Sequence, residues 1–357
     1  MDKKFLLEYL NTDSPSTFEV EAQQSWIKQV TSISDEIVSD NYGNTYAKVF
    51  QKNNTSTTRY KVVIDAHCDE IGWLVKEISD EGFIRVKRNG GTDNDITPNT
   101  RIKIMTDTGK KVKGFFGWMP IHFKDKDKPT KPSEENLYVD VAATSKEEVE
   151  ELGIKLGDYI VADREAEIVN DKYIVGKAVD DKVGGFILSE VLKRLKEEKI
   201  ELPFDLYAVN SVQEEVGLRG AKMITDKIKP DVAICFDVCF DTNTPNISKE
   251  KHGNFKMGDG VVFRKGYDVH PYLLKLMQSV VDEKEIPYKL QVGGAGGTNT
   301  TAYNLSNAGV VSAIASIPLR GMHTQNEMVN IEDVENVIKF YIELLQKIEF
   351  NHNFKLV

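Results

Sequence analysis

The chain reads as an α/β protein: a mixed, largely parallel sheet between helices, carrying a small β-rich insert. Three observations predict this. Apolar runs such as YKVVIDA (60–66), FDLYAVN (204–210), DVAICFD (231–237) and GVVSAIASI (309–317) are nearly continuous rather than alternating, as strands covered on both faces are. Helix-period stretches at 183–199, 218–227 and 268–285 separate them, the rhythm of strand–helix–strand units. From about 73 to 163 that rhythm breaks into short strand-like pieces divided by Gly, Asp, Asn and Pro.

Each element follows from its residues. MDKKFLLEYLN reads as a helix, because its apolar patch is too short for a signal segment and is broken by Glu8. Ser16 and Glu19 stand in capping-box spacing ahead of a helix over 16–31. WLVKEI, FIRVKR, RIKIMT, KVKGFFGW and LYVDVA are the strand candidates of the insert, and the mixed-charge loop HFKDKDKPTKPSEEN (122–136) reads as solvated or oligomer-contacting. Residues 331–348 place Ile331, Val334, Val337, Ile338, Tyr341, Leu344, Leu345 and Ile348 on one helical face. The expected organisation is a discontinuous α/β domain, 1–72 with 164–357, around an inserted β-rich domain, 73–163.

Composition bounds the function. With 46 Lys+Arg against 56 Asp+Glu, a formal net charge of −10 and 40% hydrophobic residues, the chain is an acidic globular protein, not a disordered or coiled-coil one. No run approaches the ~18 apolar residues that span a bilayer. No Lys/Arg block offers a footprint for a phosphate backbone, so neither membrane nor nucleic acid is an expected partner. Three cysteines, Cys68, Cys235 and Cys239, fit a reducing cytoplasm better than a disulfide framework, and read as small buried hydrophobes.

The chemistry lies where strands end. AHCDEIG follows VVID, QEEVG follows FDLYAVNSV, Asp237 follows VAICF, and His323 comes shortly after VVSAIASIPLR. A fifth cluster, GKAVDDKVGG, opens a helix. Imidazole and carboxylate without an obligatory thiolate suit Zn, Co or Mn, and more than four candidate ligands suggests two ions sharing a carboxylate. Charge counting agrees: Asp180, Glu215, Asp237 and one hydroxide balance two divalent cations. Glu214 is then left over as a base, pointing away from Glu215 if the chain there is extended. Taken singly the pieces are weaker. His67-Cys68-Asp69 alone suits a cap or turn, and Asp180-Asp181 alone suits a helix start. Two consecutive glutamates after an apolar strand are harder to explain without a partner. His122, His252, His270 and His352 have no such carboxylate beside them and read as structural.

In these residues the chain resembles the glutamyl aminopeptidase family of dinuclear metallopeptidases, the tetrahedral or deblocking aminopeptidases, some of which carry an endoglucanase label. The likeness lies in AHCDEIG (66–72), GKAVDDKVG (176–184), VQEEVGLRGA (212–221), Asp237 with DTNTP nearby, and Met322-His323 before the last helix. It implies that Asp180 bridges two ions, His67 and Asp237 completing one site and Glu215 and His323 the other. It further implies that Asp69 orients His67, that Glu214 is the general base, and that the insert is a dimerisation domain within a homo-oligomer, often of twelve subunits. Where the family has GGGTDAGA this chain reads GAGGTNTTA, so Gly297, Thr298 and Asn299 become candidate substrate contacts.

The expected activity is metal-dependent removal of N-terminal residues from small peptides, with two Zn or Co ions per subunit activating water and Glu214 moving its proton. Two alternatives stand beside it: a glycoside hydrolase, suggested by the paired carboxylates, and a metal-binding assembly protein impaired by the altered 293–302 loop.

Overall fold

A computed structural model of the chain describes residues 1–51, 59–125, 127–293, 296–349 and 352–357. Among these residues, eight strands form one sheet in the order Glu36–Ser39, Thr45–Val49, Asp205–Ser211, Lys61–His67, Val232–Phe236, Val311–Ser316, Val261–Lys265, Tyr288–Val292. The four in the middle, Asp205–Ser211 through Val311–Ser316, run parallel, with Ile64 beside both Ala208 and Ile234. Antiparallel neighbours on either side make the sheet mixed.

The continuous apolar runs have a direct cause. Along Lys61–His67, Val62, Ile64 and Ala66 join a cluster with residues of the helices Val179–Glu197, Pro271–Glu283 and Ile331–Lys347. Val63 points the other way, into a cluster with residues of Arg219–Ile228 and Asn299–Asn304. With both faces covered, alternation has nothing polar to show. The helix Ile331–Lys347 starts where the Asn330 side chain accepts the Glu332 N–H at 2.8 Å, and it buries Val334, Val337, Ile338, Tyr341, Leu344 and Leu345. Each such side chain contributes about 1.5–3 kcal/mol of burial.

The expected capping box does not form. The second helix is Val20–Val30, with no side-chain cap. Ser16 Oγ instead donates to Asp69 Oδ2 at 2.7 Å, and Glu19 Oε1 accepts the backbone N–H groups of Thr17 and Gln213 at 2.7 and 3.2 Å. Tertiary partners take both side chains the local motif would have used.

Six further strands close into an antiparallel barrel in the order Gly72–Ile78, Ile84–Asn89, Tyr138–Asp140, Lys111–Gly117, Arg101–Met105, Tyr159–Ala162. Its filling includes Trp73, Val86, Ile102, Ile104, Phe116 and Ile160, with the Trp73 and Phe116 rings 4.7 Å apart. At Gly72 a Cβ would stand 2.3 Å from the Ile160 carbonyl oxygen, so the strand crossing demands glycine. The last strand and the short helix Lys146–Glu151, capped where Ser145 Oγ accepts the Glu148 N–H at 3.3 Å, are not apparent from sequence patterning.

A buried carboxylate joins barrel to sheet. Asp13 receives Lys103 and Lys111 from barrel strands at 2.8 and 2.7 Å, and Lys177 at 3.0 Å. Burial alone would raise its carboxyl; the three lysines hold it well below the usual range. No helix among the described residues is long and apolar enough to cross a membrane.

Candidate metal centre

Because the four middle strands are parallel, their C-terminal ends open on one edge of the sheet, where ligand sites of such sheets lie. Lys61–His67 ends on His67, and Val232–Phe236 runs into Asp237. Val311–Ser316 leads on to His323, held at φ +60°. Asp180 stands at the start of the helix Val179–Glu197, just after the strand Tyr173–Gly176. Glu214 and Glu215 are not on extended chain: Gln213 at φ +56° and Gly217 at φ +116° bend the backbone after Asp205–Ser211. Strand alternation therefore does not separate the two glutamates; the turn does, sending Glu214 toward His67 (Oε2 to Nε2 4.0 Å) and Glu215 toward His323 (Oε1 to Nε2 3.4 Å).

One carboxylate lies between two imidazoles. Asp180 Oδ1 is 3.3 Å from His67 Nε2, and Oδ2 is 3.6 Å from His323 Nε2. Two sets of ligand atoms lie within 4.8 Å of one another, one from His67, Asp180 and Glu215, the other from His67, Asp181 and Asp237. Four of the five residues expected as ligands fall in these sets together with Asp181, and His323, in neither set, adjoins them through Asp180 and Glu215 at 3.6 and 3.4 Å.

The electrostatics call for cations. The lysines nearest in sequence, Lys177 and Lys182, are engaged by Glu70, and Arg264 is paired with Asp268. Two like charges 4 Å apart repel by about 4 kcal/mol at an effective dielectric of 20. Burial first, then facing acids, push the Glu214, Glu215 and Asp181 carboxyls well above the usual range, and Asp237 up to about 7. Burial would lower His67, but Asp180 and Asp69 raise it. Asp181 Oδ1 is buried with no hydrogen-bond partner. A crowded set of oxygen and imidazole donors with an orphaned carboxylate oxygen fits divalent ions.

Comparison with known proteins agrees. Residues 43–340 match the family described as M42 glutamyl aminopeptidase. The chain belongs to this M42 family. It is 31% identical over 320 residues to the lysyl aminopeptidase of Pyrococcus furiosus, covering 89% of this chain and 88% of that protein. The TET aminopeptidase structure from the marine sediment archaeon Thaumarchaeota archaeon SCGC AB-539-E09 superposes with a TM-score of 0.91 at 29% identity, over 97% and 96% of the two chains. The TET1 peptidase of Pyrococcus horikoshii, which can assemble into a tetrahedron or a large octahedral shell, gives 0.85 at 25% identity over 97% and 99%. The fold and the aminopeptidase class expected from the sequence both hold.

In this M42 aminopeptidase the groups behind the acids are as ordered as the acids themselves. Asp69 Oδ1 lies 3.3 Å from His67 Nδ1 and accepts the Glu214 N–H at 2.9 Å; Oδ2 accepts the Glu215 N–H at 3.1 Å and the Ser16 hydroxyl at 2.7 Å. The Asp69 backbone oxygen is also 3.2 Å from His67 Nδ1, but the charged carboxylate is the stronger acceptor. Though burial opposes it, His67 and these donors lower the Asp69 carboxyl. Glu327, buried, accepts the Asp180 N–H at 3.0 Å on one oxygen and the His323 N–H at 2.8 Å on the other. The barrel side contributes as well: the Gly91 carbonyl is 3.0 Å from His323 Nδ1, and a Cβ at 91 would lie 2.7 Å from that nitrogen. Asp181, Glu327 and Gly91 escape sequence reading. Adjacency to Asp180 could have flagged Asp181 and the Gly-Gly pair could have flagged 91, while nothing local marks Glu327.

The substrate loop divides. Gly297 and Thr298 line the cavity beside His67, Glu214 and Asp237. Asn299, expected as a substrate contact, is not among the lining residues. It is buried, and its amide donates to Asp65 Oδ1 at 2.7 Å and Ser211 Oγ at 2.8 Å, while the Tyr303 hydroxyl donates to Asp65 Oδ2 at 2.9 Å. Burial pushes the Asp65 carboxyl up to about 7. An aspartate at 299 would set two buried carboxylates against each other; asparagine supplies N–H donors instead. All three cysteines are buried and free, and none joins either ligand set.

Proposed function

We propose that the enzyme removes N-terminal residues from small peptides using two divalent ions, zinc or cobalt, shared by Asp180. His67 and Asp237 would complete one position and Glu215 and His323 the other, with Asp181 beside the first. The carrying observation is the Asp180 carboxylate, with one oxygen toward each imidazole. When bound, the ions supply Lewis acidity, lowering the pKa of water and polarising a carbonyl. Glu214, whose carboxylate stands 4.0 Å from His67, takes the water's proton and returns it to the leaving amine. Asp69 holds the His67 tautomer and, through the two backbone N–H groups it accepts, holds both glutamates in place. Gly297 and Thr298 form part of the substrate wall.

We further read residues 1–72 with 164–357 as the catalytic domain and the 73–163 barrel as a dimerisation domain in a homo-oligomer, a twelve-subunit tetrahedron. The tetrahedral assembly of the Pyrococcus horikoshii relative supports this. The free buried cysteines support a reducing, cytoplasmic setting.

A panel of aminoacyl anilides tests the activity. Turnover is expected with free α-amines only, stopped by a chelator and restored by zinc or cobalt. Hydrolysis of N-acetylated substrates, or turnover indifferent to chelation, would sink the proposal.

The glycine beside His323 gives a sharper test of the metal positions. Gly91→Ala pushes a methyl against Nδ1 and is expected to weaken one of the two ions about 10–100-fold, leaving the other in place. Calorimetric titration of metal-free protein reads two affinities; if the two move together or neither moves, the orienting role of residue 91 is wrong.

A further inference from the structure

The sheet ends in an open edge beside the site. Tyr288–Val292 is the last strand of the order, paired only on its inner side, with Val261–Lys265, among the described residues. The Val261 N–H donates to the Pro287 oxygen at 2.9 Å, and the Gly293 N–H to the Lys265 oxygen at 3.0 Å. By alternation, the backbone groups of Tyr288, Leu290 and Val292 therefore point outward. Exposed edges with apolar side chains are ordinarily blunted or covered. Apart from the single charge of Lys289, this one is open among the described residues: Val292 is 80% exposed and Leu290 37%, with Phe240 close by at 39%.

The edge is continuous with the metal centre. Phe240 and Gln291 line the cavity that holds His67, Glu214 and Asp237, and they also line the adjoining groove formed by residues 250–255 and 289–293. Two cations stand in that groove, Lys251 and Lys289, and neither makes an ion pair among the described residues; Glu250 is its one acid.

We propose that this edge binds the part of the substrate beyond the scissile bond as an added strand, and that Lys251 and Lys289 select peptides carrying a free C-terminal carboxylate or acidic side chains there. The inference rests on the aminopeptidase reading and extends it to a substrate class: short, extended, acidic-tailed peptides. Added strands gain affinity from main-chain hydrogen bonds, so length should matter until the edge is filled. Five residues at ~3.3 Å each span about 16 Å, so the gain should level off near five or six substrate residues.

The test uses metal-loaded, full-length protein and compares an alanyl anilide with alanine-initiated peptides of two to eight residues ending in glutamate. Wild type should show kcat/KM rising with length to a plateau. Methylating alternate backbone nitrogens of the peptide should abolish that rise. Lys251→Glu with Lys289→Glu should lower kcat/KM on the acidic pentapeptide about tenfold while leaving the anilide within twofold. The proposal is overturned if length has no effect, if anilide and peptide fall together, or if the variant changes particle size, which would make the edge a contact between copies. Absence of anilide turnover by wild type would instead bring down the aminopeptidase reading, and this extension with it.

Discussion

Asp180→Asn is expected to empty both metal positions at once. One oxygen of the carboxylate faces His67 and the other His323, so this one side chain reaches toward both positions. Metal analysis of the purified variant should fall from two ions per subunit toward none, and kcat/KM should drop by at least about 10³-fold, as expected when several kcal/mol of Lewis-acid stabilisation is lost. A second consequence separates this account from simple damage. The charge at 180 is among the causes that raise Glu215, Asp237 and Glu327, so removing it relieves repulsion in the metal-free protein. The metal-free variant should therefore melt no lower than metal-free wild type at pH 8, while added zinc or cobalt should raise the melting temperature of wild type and not of the variant. Two ions retained in Asp180→Asn would show that the carboxylate is not shared.

Glu214→Gln should do the opposite to the metals and nearly the same to the chemistry. Glu214 is not among the five residues assigned to the two positions, and its backbone N–H bond to Asp69 does not depend on its side chain. Both ions should remain, KM should change little, and kcat should fall about 10²–10⁴-fold, the worth of a positioned base. Burial raises its carboxyl, making it a stronger proton acceptor than an exposed glutamate. Full turnover by this variant would take Glu214 out of the mechanism.

Much of this was legible in the chain, and the exceptions have one cause. His67, Asp237 and His323 announce themselves because each follows a buried apolar strand, where polar residues need a reason. Glu214 and Glu215 carry the same signal, but a turn at Gln213, not strand alternation, separates them. Ser16 and Glu19 look like a local cap, but Ser16 bonds Asp69 and Glu19, besides its neighbour Thr17, bonds Gln213 across the fold. Asn299 directly follows Gly297 and Thr298, which line the cavity, yet faces Asp65, 234 residues away in sequence. Glu327 and Gly91 had no signal: a carboxylate accepting two backbone N–H groups and a carbonyl meeting an imidazole are contacts made only after the sheet and barrel have packed.

From the residues alone came the layered α/β class, the β-rich insert and the set of acids and histidines, because hydrophobic periodicity and the cost of burying charge are local properties of a chain. Only the folded molecule set Asp180, which the resemblance singles out, between the two imidazoles, placed Glu327 behind it, and brought a barrel carbonyl to the site. Those depend on distances between segments far apart in sequence, and a hydrogen bond or a ligand bond is made or lost within about half an ångström.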